Sequence, residues 1–132
     1  MREITTHIVE GDSANHQLKI EVLGGAGPGG ANVAYMISAP QQPQTGMIRG
    51  WFARDLTIGF QNGPITKPED VNGVTNESLL AIVIDRLEGF QSGPFACESN
   101  EKAKDYCRLA LSFLQDRTRA RIARGVEGKL EA

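Results

Sequence analysis

Three arginines, Arg117, Arg121 and Arg124, follow one another at i, i+4 and i+7 near the end of the chain. On a helix that spacing stacks them on one side. A guanidinium is a planar fork of donors that takes phosphate oxygens two at a time and stacks on flat rings, so the stripe has the chemistry of an anion site. The alternative is an ordinary solvated helix end, with Asp116, Glu127 and water neutralising cations that also suit the helix macrodipole. Upstream, Phe90, Phe95 and Asn100 cluster around the turn Ser92-Gly93-Pro94. Arg117 lies about 25 to 30 Å up the following helix from that turn, so one copy cannot gather all four around a small ligand. Two hairpins packed antiparallel, tip against root, can.

Elsewhere reactive chemistry is sparse. No Ser/His/Asp or Cys/His set can be placed together, and no paired carboxylates or metal-ligating cluster share a face. His7 and His16 read as incidental polar residues. Cys97 and Cys107 stand ten residues apart, roughly 15 Å on a helix, which no disulfide spans. Both thiols read as small buried hydrophobes. A G-x-G-x-x-G match occurs at Gly25, Gly27 and Gly30, but that fingerprint needs a helix to follow, and Asn32 to Ile37 read as a strand. The glycine run is therefore expected to be a flexible hairpin connection, with closure over a ligand as the other option. A non-enzyme without metal or cofactor is expected.

The elements that position these residues begin with a helix from Thr75 to Phe90. Thr75 suits the N-cap and Glu77 the first turn. Leu79, Leu80, Ile82, Val83, Ile84 and Leu87 are too many apolar residues for one stripe, so this helix must be covered on more than one side. A left-handed Gly93 and Pro94 are expected to end it. The second helix starts near Cys97 to Ser99 and runs for about 40 Å, with Tyr106, Leu109, Ala110, Phe113 and Leu114 expected as one buried face.

Before the helices, Leu18, Ile20 and Val22 alternate with polar residues as a half-buried strand does, and Gly24 to Gly30 break the pattern. Asn32 to Ile37, Met47 to Phe52 and Leu56 to Gln61 read as further strands, with a proline-bearing polar turn from Ala39 to Gly46. Strands first and helices second make the class α+β: a small antiparallel sheet followed by a long two-helix hairpin that oligomerises through the hairpin. The expected boundaries are 1–62 for the β-region, 63–74 for a linker, 75–128 for the hairpin and 129–132 for a tail, all in one structural domain. The 132 residues, 40% apolar and 23% charged, suit a folded soluble chain. The net charge of −2 gives no general attraction to long nucleic acid or a membrane surface. With no apolar span or signal segment evident, a cytoplasmic protein is expected.

Phe60-Gln61-Asn62-Gly63-Pro64-Ile65, the run from Asn72 to Leu87, Gly89-Phe90-Gln91-Ser92-Gly93-Pro94-Phe95-Ala96-Cys97, and the stretch from Leu114 to Gly128 together resemble phage proteins of the Thoeris anti-defence sponge family. Their hairpin is shared with anti-CBASS sponges. The likeness covers Phe60 to Gly128; the first 59 residues share only a short glycine-bearing β-region. The resemblance implies sequestration, without breakdown, of cyclic ADP-ribose isomers made by TIR proteins, with CBASS cyclic di- and trinucleotides as further ligands. It implies sites between protomers of a dimer-based assembly, up to a hexamer, in the cytoplasm of the infected host. It assigns Phe90 to stacking on adenine, Asn100 to a hydrogen bond with the nucleotide, Arg117 and Arg121 of the partner hairpin to the base plane and pyrophosphate, and Phe95 to the shape of the turn. Arg124 and Gly125, with Arg119, become candidates for a second, cyclic-oligonucleotide site. The competing readings are a nucleic-acid-binding module or a structural phage assembly module built on the arginine-rich helix.

Overall fold

The computed structural model describes residues 2–40 and 55–129, which fall into two compact units: Met1–Gly63 with Glu69–Gly73, and Pro64–Pro68 with Val74–Ala132. The first holds a four-stranded antiparallel sheet in the order β1 (Arg2–Ile4), β2 (Lys19–Ala26), β3 (Asn32–Ser38), β4 (Asp55–Gly59). The second holds α1 (Asn76–Gln91) and α2 (Glu98–Arg124). The class is α+β, as the order of patterns predicts.

Register explains why the sheet has one apolar face. Ile4 pairs with Ile20, Ile20 with Ile37 and Ile37 with Leu56, while Val22 pairs with Tyr35 and Tyr35 with Ile58. Directly opposed residues share a face, so the alternation read along β2 becomes two apolar rows across the sheet. Val22 is 3% exposed, and Tyr35 meets Phe60 edge to face at 5.6 Å. One expectation changes here. Gly24 does not end the strand: between Leu23 and Ala26 the register shifts by one residue against Ala34 and Asn32, so the extra residue is absorbed as a bulge and β2 runs on. A short strand, β1, comes first, and His16 lies in a 3-10 turn, Asn15–Gln17, ahead of β2. The strand expected over Met47 to Phe52 lies outside the described residues.

The rest of the glycine run, from Gly27 to Gly30, is a hairpin connection between β2 and β3. Gly30 N donates to Gly27 O at 3.0 Å and Gly27 N to Ala31 O at 2.8 Å. Beyond β4, amide side chains imitate a strand partner: Asn62 N donates to Asn72 Oδ1 at 2.9 Å, Asn72 Nδ2 to Asn62 O at 2.7 Å, and Asn72 N to Gln61 Oε1 at 2.8 Å. Gln61 Nε2 closes the loop onto Asp70 O at 3.0 Å. The Gln61-Asn62 and Asn72 motifs thus serve to fold the chain back on itself.

Candidate functional site

Helix α1 begins as its sequence dictates. Thr75 Oγ1 accepts from Ser78 N at 3.1 Å while Ser78 Oγ accepts from Thr75 N at 3.0 Å, a reciprocal capping box. Its inward seam is Glu77, Leu80, Ile84, Leu87 and Gln91, spaced by three and four, with Ile84 8% exposed. The matching seam of α2 is Glu101, Lys104, Cys107, Leu111, Leu114, Thr118 and Arg121. Antiparallel pairing of the two is marked by Arg108 against Glu88 and by Gln91 Nε2 to Glu101 Oε2 at 3.0 Å.

This seam corrects the expected buried face of α2. Of Tyr106, Leu109, Ala110, Phe113 and Leu114, only Leu114 is half-buried; Tyr106 is 68% and Phe113 67% exposed. Two apolar stripes run along α2, one satisfied by α1 and the other open. Helix α1 likewise leaves Ile82, Val83 and Phe90 exposed, in keeping with its surplus of apolar residues. A groove of about 370 Å³ lined by Asn76, Leu79, Leu80, Val83 and Leu114 lies at the open end of the pair.

The turn joining the helices is built differently from expectation. Gly93 does not adopt the left-handed conformation; α1 ends at Ser92, whose N–H is shared among Glu88 O, Gly89 O and Phe90 O, and Gly93 N donates to Phe90 O at 3.2 Å. The group that holds this turn is Gln91, which sequence reasoning did not single out. Its Oε1 accepts from Cys97 N at 3.0 Å, and its Nε2 donates to Cys97 O at 3.1 Å as well as to Glu101. Its place on the three-four seam of α1 was the available signal. Cys97 is exposed, correcting the buried thiol expected there, and its Sγ accepts from Asn100 N at 3.5 Å as the N-cap of α2. Cys107 is half-buried in the seam.

Three site candidates therefore sit on one braced turn. Asn100 Nδ2 donates to Phe95 O at 3.4 Å, Phe95 is 73% exposed, and the Phe90 ring lies 5.7 Å from the Arg86 guanidinium carbon. Glu101, beside them, has its carboxyl held below the usual range by hydrogen bonds from Lys104 and then Gln91.

The arginines part company at the other end. Arg117 and Arg124 are exposed, on the side of Tyr106 and Phe113. Arg119 is exposed too and ion-pairs with Asp116 at 2.7 Å. Arg121 continues the inward seam; it is 9% exposed, and its Nη2 donates to Val126 O at 2.9 Å and Lys129 O at 2.8 Å. Gly125 is the left-handed residue that stops α2 at φ +74°, with Gly125 N on Ile122 O and Val126 N on Arg121 O, both at 3.0 Å. Asn100 and Arg117 are separated by seventeen positions of unbroken helix, about 25 Å. The two ends of the hairpin thus carry different chemistry: an aromatic and amide corner at the tip, guanidinium groups near the root.

An antiparallel helical hairpin with an aromatic tip, a cationic root and an open apolar flank is the class of domain this geometry defines. The family model of the Acb2/Tad1 hairpin domain matches residues 53–119, and the chain belongs to that family. It is also similar to the Thoeris anti-defense 1 protein of Bacillus phage SBSphiJ7, with 47% identity over 84 residues. That match takes in 64% of this chain and 58% of the relative's length.

Proposed function

We propose that this chain acts against a host defence by binding a cyclic nucleotide immune signal and holding it unchanged, in pockets each built by two copies. The family and the Thoeris anti-defense 1 relative support the anti-defence role. The observation that carries the shared pocket is the separation of Phe90 and Asn100 from Arg117 along a continuous α2, together with the open apolar stripe between them. Antiparallel packing of two hairpins covers that stripe and brings the tip of one copy to the root of the other.

In the pocket Phe90 stacks on adenine and Asn100 hydrogen-bonds the nucleotide, while Arg117 and Arg121 of the second copy take the base plane and the pyrophosphate. Phe95 shapes the corner. Arg124, with Arg119 and the backbone at Gly125, offers a second site for a cyclic oligonucleotide where helix ends meet in a higher assembly, up to a hexamer. The place of action is the cytoplasm of the infected cell, and the ligands are cyclic ADP-ribose isomers with cyclic di- and trinucleotides beside them.

A protein that returns its ligand intact must outcompete the effector, and nanomolar binding corresponds to about −12 kcal/mol. Stacking of about 1–3 kcal/mol per base and charged hydrogen bonds of about 1.5–3 kcal/mol each reach that only in a closed, preorganised pocket. Grooved nucleic-acid binding is disfavoured by the net charge of −2 and by the pairing of Arg119 with Asp116. Calorimetry against a panel of cyclic ADP-ribose isomers, cyclic dinucleotides and cyclic trinucleotides tests the reading. Tight binding is expected, with intact ligand recovered after heat denaturation; a converted ligand would mean an enzyme, and no binding across the panel would refute sequestration.

A further inference from the structure

Resting on the reading of Arg121 as a ligand contact, we infer that the turn after α2, residues 125–129, positions the Arg121 guanidinium, and that Gly128 is the linchpin of that turn. Gly128 sits at φ +81°, and a Cβ there would lie 2.5 Å from Ile65 O. That oxygen is backbone and has no rotamer by which to withdraw. Ile65 N also donates to Gly128 O at 2.6 Å, so the segment Pro64–Pro68 grips the turn from outside. The turn is tied within by Val126 N to Arg121 O and Lys129 N to Val126 O, both at 3.0 Å.

What the turn then offers is a pair of carbonyls. Val126 O and Lys129 O both accept from Nη2 of Arg121. An arginine is among the side chains with most rotamer freedom to lose, and a guanidinium already held in place forfeits less of it on meeting a ligand. Arg117 and Arg124 are exposed, whereas Arg121 is 9% exposed between them. The sequence Gly125-Val126-Glu127-Gly128 is thereby given two tasks: its first glycine ends the helix, and its second lets the turn close tightly enough for two carbonyls to reach one nitrogen.

Two variants test this, Gly128→Ala and a chain ended at Gly125; the second removes both carbonyls without asking any residue to adopt a strained conformation. Amide hydrogen exchange at Ile65 and, in the full-length variant, Val126 and Lys129 reads the clasp. Calorimetry with the cyclic ADP-ribose isomers reads the site. Faster exchange at those amides and an affinity at least tenfold lower are expected from Gly128→Ala, and a similar affinity loss from the shortened chain. In an Arg121→Met background, which keeps the stem and lacks the fork, the same changes should have no further effect, because the turn acts through Arg121. Equal losses in both backgrounds, unchanged affinity in Gly128→Ala and the shortened chain, or unchanged protection in Gly128→Ala would each overturn the inference. A wild-type protein that binds none of the panel refutes the proposed function and this role with it; a wild-type protein that binds, with variants as tight, refutes this role alone.

Discussion

The sheet and the hairpin spend their apolar residues in opposite ways. In the sheet, Ile20, Val22, Tyr35, Ile37 and Ile58 fall into rows on one face and are buried or half-buried. In the hairpin, Ile84 is the one buried apolar side chain among the described residues, while Ile82, Val83, Tyr106, Leu109, Phe113 and Ile122 stand exposed. Two helices present four faces and can cover only one apiece, so apolar residues beyond a single seam must wait for another surface. What the contrast teaches is that the sheet covers most of its apolar rows within one chain, whereas the hairpin leaves a whole apolar stripe exposed, the stripe that the proposed packing of two copies would cover.

The sharpest way to break this comparison is to charge the open stripe. Phe113→Glu should abolish assembly and nucleotide binding together, read as a monomer on a sizing column and a flat calorimetric trace, while circular dichroism keeps its helical signal. Should Phe113→Glu behave as wild type, the open stripe is not an interface. Arg117→Ala or Phe90→Ala should weaken binding by at least a hundredfold and leave the assembly on the column unchanged, which separates the site from the packing that builds it.

Effects inside a single chain are smaller. Val22→Ala, which empties a buried position of the sheet, should cost about 1–3 kcal/mol in denaturant unfolding; Leu109→Ala should cost little in a monomeric background, because Leu109 is exposed there. Thr75→Ala removes half of the capping box and should cost about 1 kcal/mol of hairpin stability, read from the thermal midpoint. The smallest effect is that of acid. Hydrogen bonds from Asn15 and Ala14 hold the Asp12 carboxyl below its usual range, and those from Lys104 and Gln91 do so for Glu101. A carboxyl lowered on folding adds stability above its unfolded titration and loses it as pH falls through the folded one, so both contributions should fade below pH about 4. Asp12→Asn and Glu101→Gln should flatten that part of the stability profile, each in its own unit.

Much of this was legible in residue order. Period-two alternation along Ile20 to Val22 and Thr75 ahead of an apolar run are local signals, and the structure has β2 and the capped start of α1 at those places. The errors share one cause. Tyr106, Leu109 and Phe113 repeat at helical steps, yet the seam that α1 covers is Cys107, Leu111 and Leu114; a repeat shows that a face exists without showing which partner covers it. Gly93 was expected to terminate α1 by its own flexibility, but Gln91 had already spanned the turn with hydrogen bonds to Cys97. Cys97 was read by hydrophobicity and is used as a cap.

By itself, then, the amino-acid order determined the α+β class, the capped start of α1, the length of α2 and the wide spacing between an aromatic tip and a cationic root. Only the tertiary structure separated three arginines that look equivalent on a helical wheel. Arg117 and Arg124 point to solvent, whereas the Arg121 side chain meets carbonyls five and eight residues further on, brought there by a turn that Ile65 holds closed. Helical spacing is a property of neighbouring residues. Which guanidinium is held and which is left to the surroundings depends on where distant backbone comes back to meet it.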